Sequence, residues 1–114
     1  MIGVAVALLL TAQQPDSARR YWPVTVDELA RGRVRHTHVV VTGRVRRVHR
    51  ERDGDLHVKL TGQRLYIVLE CIPRLPCDPP TVGERIRAWG IARYDFEHQW
   101  WELHPLERWE RVAG

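Results

Sequence analysis

The spacing of apolar and polar positions changes period once along the chain. Between Val24 and Gly32 it predicts a helix of about two turns, with Thr25 as N-cap, Glu28 three residues on as its capping-box partner and Gly32 as the stop. From His38 the period is two. Val39, Val41, Gly43 and Val45 fall on one face and Val40, Thr42, Arg44 and Arg46 on the other, which predicts a long half-buried strand bent at Gly43. Asp53-Gly54 then supplies a turn, and Leu56, Val58 and Leu60 alternate with His57, Lys59 and Thr61 in a second strand hairpinned to the first. After Thr61-Gly62-Gln63, Leu65, Ile67 and Leu69 alternate with Tyr66, Val68 and Glu70 in a third. The stretch from Ile72 to Glu84 holds four prolines and cannot be regular. Arg85 to Tyr94 reads as a fourth strand with Ile86, Ala88, Gly90 and Ala92 on one face. Trp100 to His104 reads as a short fifth strand that Pro105 stops.

Five strands without an intervening long helix exclude a doubly wound α/β fold. The expected class is all-β: a five-stranded antiparallel barrel of the oligonucleotide/oligosaccharide-binding type (OB-fold), preceded by a short helix. The domain is expected over residues 24–114, after a polar linker over 13–23.

Residues 1–12 are apolar to Leu10, too short to span a bilayer, which needs roughly 20 residues. They resemble the apolar region of a secretory signal without its positive start, or else form a short hydrophobic segment. Cys71 and Cys77 are the only cysteines, on a Pro-rich loop that suits a small disulfide ring in an oxidising compartment; unpaired thiols are the alternative. The expectation is an exported or cell-envelope protein, with a cytoplasmic one as the alternative.

Charge adds one possibility. Lys and Arg number 18 against 14 Asp and Glu, a net +4, and Lys59 is the sole lysine. Arg forks suit phosphate, so a nucleic acid or another acidic polymer is a conceivable partner, although basic and acidic residues alternate along most of the chain. Five tryptophans strengthen it. An outward Trp beside Arg44, Arg87 or Arg93 would give the stacking platform and cationic rail that single strands use. Trp100 and Trp101 must face opposite ways, one into the core and the other out. The candidate ligand-binding residues are thus Arg44, Arg46, Lys59, Tyr66, Arg87, Trp89 and Trp100, with no cofactor required. Packing of the N-terminal or the C-terminal segment over the outward Trp is the plainer alternative, with Trp109 expected to do such covering.

The combination Asp53-Gly54-Asp55-Leu56-His57, Leu69-Glu70-Cys71-Ile72-Pro73 with Cys77, and His98-Gln99-Trp100-Trp101-Glu102-Leu103-His104-Pro105 resembles a group of small bacterial OB-fold proteins, often exported. The resemblance runs over roughly residues 24–109 and implies the barrel and the export; it implies no reaction. Gln99 departs from the glycine expected after the histidine.

A second chemistry lies on the polar strand faces. Asp55 and His57 share one face of the second strand, Tyr66 and Glu70 the matching face of the third, and Glu102 and His104 one face of the fifth. His57, His104, Glu102 and Asp55, with His98 as a further ligand, have the donor types of a divalent-metal site or an acid–base pair. The structural alternative has Asp55 and Glu102 accepting hydrogen bonds from His104 or His57 to pin the barrel. No nucleophile with an oriented base and no phosphate-binding glycine loop is present, so covalent and nucleotide-cofactor chemistry lack support.

Overall fold

The computed structural model describes residues 19–114, so the expected signal segment and most of the linker lie outside the described residues. The elements are β1 (Trp22–Pro23), α1 (Val26–Ala30), β2 (His38–Arg50), β3 (Leu56–Thr61), β4 (Tyr66–Cys71), β5 (Arg85–Asp95) and β6 (Trp100–Arg111). Strands β2, β3, β4, β6 and β5 join in that order, and β5 pairs back onto β2, closing a five-stranded barrel. No helix of the described residues is long and apolar enough to cross a membrane.

The barrel is mixed, which corrects the antiparallel expectation. Around a closed ring of five strands, directions cannot alternate without one exception. That exception is β4 beside β6, parallel at Val68–Glu102 and Leu69–Leu103. Short β1 is also parallel to β2, so Trp22 and Pro23, expected in the linker, lie on the barrel.

Inward side chains build one core: Val39, Val41 and Val45 from β2, Val58 and Leu60 from β3, Ile67 and Leu69 from β4, with Ile86, Ala88, Leu103 and Leu106 facing them. Helix α1 buries Val26 and Leu29 against that core near the β3–β4 turn. Its capping box is formed as the sequence predicts, with Thr25 and Glu28 exchanging hydrogen bonds. Asp27 accepts from the backbone N–H groups of Arg64 and Leu65, tying the helix to that turn.

Two strands run further than their sequence pattern. In β2 the pairing shifts between Val45–Leu60 and Arg47–Lys59, so Arg46 is an extra residue that puts the later alternation out of phase. In β6 Pro105 does not stop the strand, because the register with β5 shifts on either side of Gly90 and no ladder N–H is needed there. The β5–β6 turn is closed by Gln99 at φ 61°, the left-handed conformation in which a glycine would be free of strain.

Cys71 and Cys77 are joined by a disulfide. Trp109 donates from Nε1 to the Asp78 carbonyl and packs against the core, so it holds this loop down, while the neighbouring Arg108 lies over Trp89. Reduction is expected to destabilise the domain by about 2 kcal/mol, the entropy of so short a loop. Thiol titration in denaturant without reductant checks the bond: no reactive thiol is expected before reduction and two afterwards.

Candidate functional site

The β2–β3 and β5–β6 turns meet over an open cavity of about 740 Å³ lined by His49, Glu51, Asp55, His57, Glu70, Arg93, Asp95, His98 and His104, among others. Cross-strand register places its ligand-type side chains. His57 of β3 stands opposite Glu70 of β4, and Glu102 of β6 lies beside Val68 of β4, two residues from Glu70. The outward faces of three strands therefore converge on one carboxylate.

That carboxylate is Glu70, which is only 7% exposed. Its two oxygens face two imidazoles: His57 Nε2 lies 3.4 Å from Oε1, and His104 Nε2 lies 3.6 Å from Oε2. Both contacts are longer than ordinary charge-assisted hydrogen bonds. The Nδ1 atom of His57 faces Glu51 Oε1 at 3.1 Å. The histidines thus find their partners in Glu70 and Glu51, rather than in Asp55 and Glu102 as expected.

Glu102 is fully buried. Its Oε2 accepts from Trp100 Nε1 at 3.0 Å, whereas Oε1 accepts no hydrogen bond and has Arg93 Nε at 3.6 Å. Two groups of three donor atoms form, the atoms of each lying within 4.8 Å of one another: Asp55, His57 and Glu70, and Glu70, Glu102 and His104. Burial, then the adjacent Asp55 and Glu102 carboxylates, push the Glu70 carboxyl up to about 9.

His98 stands apart from both groups. Its ring stacks on Trp100 at 4.5 Å, and its Nδ1 meets Asp95 Oδ2 at 2.8 Å. Hydrogen bonding between the two raises the His98 pKa and lowers that of Asp95. Asp95 also accepts from the Glu97 and His98 backbone N–H groups, so this pair shapes the turn.

Beside the cavity runs a trough of about 390 Å³ lined by Arg47, His49, Glu51, His57, Lys59, Tyr66, Val68 and Trp100. The Lys59 ammonium sits 4.0 Å over the Tyr66 ring. Arg46 lines the adjoining groove with Lys59 and Tyr66. Of the sequence-derived ligand-binding set, Arg46, Lys59, Tyr66 and Trp100 are thus brought together. Arg44, Arg87 and Trp89 do not line the trough: Arg87 and Trp89 lie on β5, which closure sets between β2 and β6, and Arg44 lies in the half of β2 that pairs with β5. Arg44 is engaged by the Gly83 and Gly114 carbonyls, Arg87 by Glu110, and Trp89 lies under Arg108. Trp101 packs inward against the core and Trp100 outward beside His98 and His57, the opposed arrangement the period of two requires.

The donor set expected from the sequence lacks Glu70, the hub. Its signal was there, on the face shared with Tyr66 and opposite His57. Glu51 carried none, lying in a turn whose path the strand pattern does not define.

No protein-family model matches the chain, and no curated protein matches it. Among solved structures it is similar to a crystal structure described as an aspartyl-tRNA synthetase from Leishmania major Friedlin, with a TM-score of 0.62 and 12% identity, over 83% of this chain and 21% of that one. The chain spans about a fifth of that protein's length. At this identity the likeness concerns the barrel alone.

Proposed function

We propose that the barrel is an OB-fold and works as a non-catalytic binding module for single-stranded nucleic acid, laid along the outer face of β3, β4 and β6. The observation that carries this reading is the trough, where Arg47, Lys59, Tyr66 and Trp100 bring cations and aromatic rings together. OB-folds use the strand 2–3 face and the loops beyond it, which here are β3, β4 and the two turns. Aromatic rings favour nucleic acid over an acidic glycan, because bases stack on them. The disulfide supports an exported setting.

Anisotropy of a labelled single-stranded oligonucleotide, titrated with the full chain, tests the reading. With three phosphates neutralised by Arg46, Arg47 and Lys59, affinity falls about 20-fold between 50 and 200 mM salt. Trp100→Ala is expected to weaken binding by about 1 to 3 kcal/mol. Absent or salt-independent binding removes the proposal, and binding of an acidic glycan in its place reassigns the ligand.

A second reading, a metal-dependent hydrolytic site built from His57, His104 and the carboxylates, is favoured by one observation: Glu102, a member of that cluster, buries an Oε1 that accepts no hydrogen bond.

A further inference from the structure

We infer that Glu70 is the centre of a divalent-cation site, flanked by Asp55 and His57 on one side and by Glu102 and His104 on the other, taking a first-row transition ion such as Zn²⁺ or Mn²⁺. The inference stands apart from strand binding and needs no hydrolysis.

Four observations converge. The donors fall into two groups, each within 4.8 Å, that share Glu70. Both imidazoles turn Nε2 toward Glu70, so their ring nitrogens point into one space. Glu51 holds His57 from its Nδ1 side, which leaves the Nε2 lone pair directed inward; a carboxylate behind a histidine is the usual outer support of a metal ligand. Glu102 is fully buried, with Oε1 accepting no hydrogen bond. A buried carboxylate oxygen left unsatisfied costs about 1 to 3 kcal/mol or more, and coordination to a cation removes that cost.

Electrostatics points the same way. Three carboxylates, Asp55, Glu70 and Glu102, crowd together, the last two of them buried. The half-exposed Arg93 places its guanidinium 3.6 Å from Glu102 Oε1 and 3.4 Å from His104 Nδ1. Arg93 is thereby a stand-in cation. Loading requires its side chain to swing out, which frees His104 Nδ1 to carry the proton and Nε2 to coordinate.

The donor set selects the ion. Imidazole nitrogen suits Zn²⁺ and Fe²⁺, and the carboxylates suit Mn²⁺ as well, whereas Ca²⁺ and Mg²⁺ take oxygen ligands throughout. No thiolate is within the set, since both cysteines are in the disulfide.

The test uses the full chain, stripped with chelator and titrated with ZnCl2, MnCl2 and MgCl2 by calorimetry and thermal shift. Saturable one-to-one binding of Zn²⁺ or Mn²⁺, at least ~30-fold tighter than Mg²⁺, is expected. Glu70→Gln should weaken it by ~30-fold or more, and His36→Ala, against Trp22 elsewhere on the domain, should leave it unchanged. Arg93→Ala should tighten it, because the competing cation is gone. Should Glu70→Gln fail to fold, Mn²⁺ added to the unmodified chain decides: paramagnetic broadening must reach the His57 and His104 ring signals before those of His36 and His38. Unsaturable binding, parental affinity in Glu70→Gln, or broadening that begins at His36 or His38 overturns the inference.

Discussion

Glu70→Gln is expected to make the metal-free domain more stable than the parent at pH 8 and no more stable at pH 4. The sign follows from the direction of the Glu70 shift, upward from 4.5 to about 9 through burial and the neighbouring Asp55 and Glu102. Between those values the unfolded chain has lost the carboxyl proton and the folded domain keeps it. The group's stability contribution is therefore whole below about 4.5 and lost progressively as pH rises toward about 9. Over that window the slope approaches about 1.4 kcal/mol per pH unit, so the parent forfeits a few kcal/mol by pH 8. Glutamine has the shape of the protonated carboxyl and does not ionise, so its melting temperature in chelator should be nearly flat where the parent's falls. Parallel pH profiles for the two proteins would show that Glu70 is ionised in the fold. A saturating divalent ion should raise the parent's melting temperature most at high pH, where its ligand is otherwise penalised, and leave Glu70→Gln little changed.

How much of this was legible follows from what each signal depends on. The helix cap at Thr25 and Glu28 is local chemistry, formed within four residues, and it reads directly. The inward positions of β2, β3 and β4 obey a period of two over one uninterrupted stretch each, and they read almost as well. What the pattern hides is a bulge. Arg46 adds one residue to β2, so Val48 resumes the inward face one position late and the alternation seems to end there. Pro105 hides the second half of β6 in the same way, since a proline inside a strand reads as a stop unless its partner strand slips register. Parallel pairing of β4 with β6 is a property of closure, on which no single strand bears.

The site divides along the same line. Residues at i, i+2 on one strand, such as Asp55 with His57 and Glu102 with His104, declare a shared face. Convergence of three such faces on Glu70 depends on stagger between strands, and the part played by Glu51 depends on a turn. Arg44, Arg87 and Trp89 looked equivalent to Lys59 and Trp100 because an outward position says nothing about which side of a closed barrel it occupies. Gln99 closes the β5–β6 turn at φ 61°, a conformation that a glycine adopts without strain.

Gly90→Ala is expected to cost about 3 kcal/mol or more and to lower the melting temperature by about 15 °C, the scale on which overpacking acts in a small domain. A Cβ there would lie 2.6 Å from the Pro105 carbonyl oxygen, 3.1 Å from Leu103 Cβ and 3.3 Å from Leu106 Cα. None of these is the free end of a flexible side chain, so the strands themselves must part. The useful contrast is Gly83→Ala: that glycine has a positive φ of 95° but nothing within 4 Å, so the cost is backbone strain alone, about 1 to 2 kcal/mol. Gly90 also bears on function through β6. The two register shifts beside it fix where Pro105 sits, and Pro105 follows directly on His104, which faces Glu70 together with Glu102. Forcing β5 and β6 apart at Gly90 should therefore weaken Zn²⁺ or Mn²⁺ binding as well as stability, whereas Gly83→Ala should affect stability alone. Parental melting of Gly90→Ala would show that the two strands do not approach so closely. A destabilised variant that still binds the ion with parental affinity would show that the ligands on β6 are positioned by their own strand, without help from β5.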